Sequence, residues 1–313
     1  MKYYKAYGKG LKCRDKQYEE NTAYKENGNV ICKEGMMHFC ERPMDVMHYY
    51  DLVDINGDLR DYTTVTPLGE IVKGPSGIRA STGLHINDKL SQEEFAAACI
   101  EDAISTTTTA IKPGYTLGDI TYTGVVEEDT AGFDKNWARI VATDDYDNLG
   151  LSGEFSRVAT VGYNSHIVTS GEDTNIATTG DNARIYAVGN DTHIANAGEG
   201  SCIVMSGRDS VTMNAGFSCR INASGDNSIA ASAGNFTTIK MTGKNSIGAA
   251  LGNNGKISGK IGDWIILTEH IFNTKTNAYE CICIKAVQID GDNYKEDTMY
   301  SLKNGDVIES KYY

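Results

Sequence analysis

Between residues 153 and 260, small or apolar positions alternate with polar ones inside a unit that repeats every nine residues. Counting from the glycine that opens each unit, position 4 is small or hydroxylic (Ser165, Thr174, Ala183, Thr192, Ser201). Position 6 is usually Ile (Ile167, Ile176, Ile185, Ile194, Ile203, Ile221, Ile239, Ile257), and position 8 is mostly small, as in Ala187 and Ala223. This period-two alternation predicts a short strand with positions 4, 6 and 8 facing inward, while positions 1 to 3, Gly followed by Asp, Asn, Glu or Arg, predict the corner. The opening glycines run from Gly153 to Gly252 without a gap. Units of this kind bury their apolar faces only by stacking, so the chain reads as mainly β, with a parallel β-solenoid (a β-roll) of nonapeptide repeats. The corner glycine is expected to supply backbone conformations that other residues resist. No proline follows Pro113, which suits a ladder that needs every strand N–H.

Two units would close a flat coil of 18 residues, and three would close a three-sided coil of 27. Two sides are preferred because the outward residues then sort by repeat parity. One face carries His166, Arg184, Tyr186, Arg220 and Lys256, a polar, mildly basic ladder read as a binding surface for an extended or anionic partner; the plainer reading is that any exposed sheet face is polar. The other turns apolar along its length, through Val211, Met213, Ile229, Ala231, Ile247 and Ala249. Two explanations stay open for that stripe. A one-residue phase slip would carry Val211, Ile229 and Ile247 into the core, since position 6 there is Thr212, Ala230 or Gly248. Otherwise the stripe is an exposed patch covered by a flanking domain or by another chain, which is the basis for expecting a homo-oligomer.

The flanks are of another kind. Residues 1–105 read as a small α+β domain: strand-like runs at 3–7, 30–32, 38–40 and 62–72, a short helix opened by Pro43, and a longer one opened by a Ser91/Glu94 capping box. Residues 106–152 form a connecting segment without clear periodicity, and 261–313 read as a C-terminal β cap over the last coil.

Charge narrows the partners. The net charge of −13 sits in the flanks, −9 before the roll and −4 after it, so nucleic acid is not expected as a partner. Within the roll, residues 154–199 hold six acids against two bases and residues 208–260 six bases against two acids, an axial gradient that antiparallel self-association would satisfy and that solvated surface charge also explains. The repeats lack Gly-Gly-x-Gly-x-Asp, so calcium is not expected in them. Eight scattered cysteines, no leader-like apolar run and no stretch long enough to span a membrane predict a cytoplasmic protein with reduced thiols. Cys13, Cys32, His38 and Cys40 are the constellation with metal-ligand chemistry, a Cys3His set for a structural zinc, although their spacing matches no standard zinc motif and buried apolar cysteines with a core histidine are the plainer reading. No nucleophile elbow, His-Glu-x-x-His or phosphate-binding loop is present, so no enzyme and no cofactor beyond that zinc is expected.

The N-terminal wording YKAYGKGLKCR, then ICKEGMMHFCERPMDVMHYYDL and LGEI, resembles an uncharacterised family frequent in bacteriophages and prophages, whose N-terminal domain carries a G-F-H-F-C-x-x-P-like motif. Some relatives continue into short Gly/Ser/Ala repeats and a closing segment like GDWIILTEH and KAVQIDGDNYKEDTMYSLKNGDVIES. This chain departs at the motif, reading Gly-Met-Met-His-Phe-Cys. The resemblance implies a phage or mobile-element origin and no activity. The order of elements around His38, Tyr49, Tyr50 and Glu70 also loosely resembles ADP-ribosyltransferase-like domains that grip NAD, without their nucleotide-holding first strand. The expectation is a phage-type, non-enzymatic interaction protein that binds a host or phage macromolecule as a homo-oligomer in the host cytoplasm. A virion or surface structural solenoid, and an NAD-using enzyme, are the alternatives.

Overall fold

A computed structural model describes residues 2–28, 35–74, 77–106, 113–117, 120–126 and 130–310, with backbone alone for 113–117 and 120–126. Four-residue strands recur every nine residues and alternate between two sheets, and strands one coil apart pair in parallel, as in Val158 with Ile176 and Ile167 with Ile185. The coil is therefore two-sided and has 18 residues. It begins earlier than the glycines indicate: Thr130–Phe133 and Arg139–Ala142 already pair as its first rungs, so residues 130–152 belong to the solenoid and not to a connecting segment.

The reason lies in what the glycines do. They are not among the residues with positive φ; that conformation falls two positions later, on Asn164, Asn182, Asp191, Asn227 and Asn245, at φ between 54° and 57°. Asn and Asp tolerate the left-handed region better than other side chains. The glycines answer a close approach instead: a Cβ on Gly207 would lie 1.9 Å from the Gly189 carbonyl oxygen, and one on Gly162 would lie 1.8 Å from that of Asp144. Lys135 and Asp144 hold the same position in the opening coil, where the glycine register has not yet begun. Position 4 fastens several of the corners, since Ser156, Thr174 and Thr192 donate to the carbonyls of Gly153, Gly171 and Gly189 at 2.8–2.9 Å.

Between the sheets one continuous core runs the length of the rod, with Ile167, Ile185, Ile203, Ile221 and Ile239 stacked on one side. No phase slip occurs at the apolar stripe. Thr212, Ala230 and Gly248 stay inside, and the volume they give up is filled from the opposite sheet by Met205 and Met241. A Cβ on Gly248 would sit 2.7 Å from the Met241 sulfur, so small residues on one side and methionines on the other conserve core volume.

Antiparallel hairpins close both sheets at the C-terminal end: Trp264–Asn273 with Ala278–Gln288, and Tyr300–Lys303 with Asp306–Glu309. The N-terminal unit is a seven-stranded antiparallel sheet in the order 22–25, 83–90, 61–67, 3–7, 37–40, 78–81, 72–73. The expected capping box opens the helix Gln92–Thr106, with Ser91 N donating to Glu94 Oε2 at 2.7 Å and Glu94 N to Ser91 Oγ at 3.1 Å. The strand expected at 30–32 lies outside the described residues. Among the described residues, no helix is long and apolar enough to cross a membrane.

Candidate functional site

The two faces of the solenoid have opposite fates. The polar ladder expected to be a binding surface is covered by the chain's own N-terminal domain. His166 and Tyr186 are buried, and Tyr186 and Cys202 join one apolar cluster with Met44, Val46, Met47 and Phe95. Asp51 lies between Arg184 and Arg220, accepting from both, with its Oδ1 2.7 Å from Arg184. Burial pushes the Asp51 carboxyl up, but the two guanidiniums outweigh it and hold the group below the usual carboxylate range. Lys240 reaches Asp58 at 2.7 Å, and Asn222 donates to the Gly57 carbonyl at 2.8 Å. His166 packs against His48 with the rings tilted by 51° and bonds Asn148 through Nδ1 at 2.8 Å; burial first, then His48 and Arg184, keeps its imidazole far below its ordinary pKa and therefore neutral. His166, Arg184, Tyr186 and Arg220 thus form an internal interface, not an open ladder, while Lys256 lies beyond it near the C-terminal end of the same sheet. Asp51 and Asp58 were missed because they are far away in sequence. A signal was present in the acidic balance of the N-terminal segment beside a basic sheet face.

Among the described residues, nothing covers the apolar stripe of the second sheet. Met213 is 63% exposed, Ile229 42%, Ile247 44% and Trp264 46%, on neighbouring strands. Val211 and Ala231 are half-buried beside them, and Ala249 is nearly covered. On the N-terminal half of this face, Ala159, Ala177 and Ala195 floor a trough of about 520 Å³ that ends at Val141 and Met213. The side chains at its edge grade from Arg157 and Asn175 to His193 and then Val211.

In the N-terminal domain, Cys13, His38 and Cys40 line one cleft of about 760 Å³ together with Tyr49 and Tyr50. They do not converge as ligands. Cys13 contacts the Tyr50 hydroxyl at 3.1 Å, and burial, aided by Asp45, pushes the Cys40 thiol up to about 12, where it holds its proton. Cys32 lies outside the described residues, and among the described ones no group of three His, Cys, Asp or Glu is placed to hold a metal ion. Of the residues behind the NAD analogy, His38, Tyr49 and Tyr50 share this cleft, whereas Glu70 is exposed and outside its lining.

No curated protein and no solved structure matches the chain. Residues 1–98, the sheet domain up to the middle of its helix, are similar to the family described as a domain of unknown function (DUF7666).

Proposed function

We propose that the chain is a phage-type, non-enzymatic interaction protein that works as a homodimer, its solenoids paired face to face through the open sheet. The observation that carries this reading is the run of exposed Met213, Ile229, Ile247 and Trp264 on a face whose opposite is already taken by the chain's own domain. Such a run of large apolar side chains on adjacent strands is costly to leave in water.

A second copy fits for a further reason. A two-fold axis along the strand direction, at the middle of the eight strands from 139–142 to 264–273, lays 193–196 on 211–214 and 157–160 on 247–250 of the other copy. Met213 then faces Ala195 and enters the partner's trough. At the corner, Glu154 meets Lys244 and Arg208 lies diagonally beside Asp191, which uses the axial charge gradient; Glu172 facing Asp226 and Asp191 facing Asp209 are the unfavourable pairs. The phage setting rests on the wording of both flanks, and the target, a host or phage macromolecule, would be met by the outward N-terminal domains.

Native mass spectrometry of the full chain tests the pairing. The expected result is a dimer that Met213→Glu with Ile247→Lys, the lysine set against Arg157 of the other copy, converts to monomer. Glu154→Lys should weaken it and Lys244→Glu in the same chain should restore it. A wild-type monomer, or a trimer, overturns the two-fold reading.

A further inference from the structure

The cleft of the N-terminal domain has an electrostatic feature that the dimer does not use. It opens where the strands Tyr3–Tyr7 and Met37–Cys40 diverge after one registered pair, Tyr4 with Cys40. Past that pair, the Lys5 ammonium donates to the His38 carbonyl at 2.8 Å. Lys5 is 5% exposed, and its Nζ lies 5.4 and 5.7 Å from the ring centroids of Tyr7 and Tyr18. Among the described residues, no carboxylate comes within ion-pair distance of it. The neighbouring cation, Lys16, is already engaged by Glu26 at 2.5 Å.

Buried charges in proteins are ordinarily paired, because a carbonyl and two ring faces offset only part of the lost hydration. Burial accordingly pulls the Lys5 amine below its ordinary pKa. What stands beside this ammonium is the cleft. Its volume falls in the range of small-molecule sites. Arg14 is exposed on its rim, at the tip of the hairpin formed by Lys12–Cys13 and Lys16–Gln17, and Tyr18 and Tyr50 give its walls aromatic surface. Asp15 and Glu26 line the cleft as well, the latter engaged by Lys16; Lys5 and Arg14 together with the tyrosine rings suit a ligand with one charged and one flat part.

We propose that this cleft binds a small organic anion with a planar ring, its phosphate or carboxylate meeting Lys5 and Arg14 and its ring lying among Tyr18 and Tyr50. The anion supplies the counter-charge that the fold withholds from Lys5.

Isothermal titration and thermal melting of the full chain, with adenosine 5′-monophosphate, benzoate and uncharged adenosine as probes, test this. At least one of the two anions should bind saturably and raise the melting temperature, and adenosine should do neither. Lys5→Met should abolish the binding while the empty variant melts no lower than wild type, since it removes an unpaired buried charge. Arg14→Gln, at an exposed position where folding is not at stake, should weaken binding about two- to fivefold, the size of a rim charge contact. Binding of neither anion, equal binding of adenosine, or full binding by Lys5→Met would each overturn the proposal. So would a Lys5→Met chain that melts well below wild type, because Lys5 would then be a structural plug.

Discussion

Replacing Asp51 by Asn probes the clamp between the N-terminal domain and the solenoid with almost no change in shape. The side chains of Asp51, Arg184 and Arg220 are 29%, 15% and 24% exposed, so all three are largely but not wholly withdrawn from water. Breaking a fully buried ion pair costs about 3–5 kcal/mol, because the orphaned charge stays behind. Here one substitution orphans two guanidiniums, while residual solvent screens each of them and the new amide keeps one hydrogen bond. The net expectation is about 2–4 kcal/mol at neutral pH. The sign with pH follows from the depressed Asp51 pKa: the stabilisation is present above the carboxylate's unfolded value and is lost as pH falls through the folded one. The difference between wild type and Asp51→Asn should therefore shrink in acid and vanish once both carry a neutral group there. Hydrogen exchange read by mass spectrometry is the suitable assay, since it resolves segments. Faster exchange is expected in 44–48 and 184–187, which face each other across the clamp, with no change in 229–232 on the open sheet. Uniform acceleration over both sheets, or none at pH 7, would refute a local clamp.

Other consequences follow from the core and the corners. Gly207→Ala should cost more than about 3 kcal/mol or prevent soluble folding, since its Cβ would meet a backbone oxygen at 1.9 Å, whereas Asp144→Ala at the same repeat position should be nearly neutral by thermal melting. Met241→Ala should cost about 2–5 kcal/mol in denaturant titration, because Gly248 opposite cannot fill the cavity. Asp45 is raised to about 6, chiefly by burial against the pull of Arg42, so its contribution is full below about pH 4 and lost as pH rises through about 6; Asp45→Asn should stabilise the chain at pH 7 by about 2–3 kcal/mol and make no difference near pH 4.

The repeat was legible because its determinants are local. An Ile two residues after a hydroxylic residue, and a Gly every nine, describe one strand and one corner whatever lies elsewhere. Two things were misread for the same reason. The glycines looked like turn formers because a sequence displays a residue's neighbours along the chain, whereas what excludes a Cβ is the carbonyl one coil below. Arg184 and Arg220 looked like an open ladder because their partner, Asp51, lies in another domain; the hydrogen bond from Arg220 spans 169 residues. The apolar stripe could be read two ways until Met205 and Met241 were seen to fill the space left by Thr212 and Gly248, a compensation across the core that no single repeat reveals. Of the metal-type cluster, the sequence could place His38 and Cys40 on one strand face, while the contact of Cys13 with the Tyr50 hydroxyl, far along the chain, lay beyond what it displays.

The two proposals make separable demands on the molecule. The cleft lies in a domain mounted on the sheet that carries His166 and Tyr186, and the dimer forms through the other sheet, so pairing two copies leaves both clefts facing outward. The rod between them is held by a backbone ladder and by corners where Glu199 N donates to Asp181 at 2.8 Å and Lys244 N to Asp226 at 2.7 Å, a continuous support between the two faces. The monomeric Met213→Glu, Ile247→Lys chain should therefore bind the anion with unchanged affinity per chain, and Lys5→Met should remain a dimer. An affinity that fell with the loss of the dimer would mean that the second copy completes the cleft, which the separation of the two faces argues against.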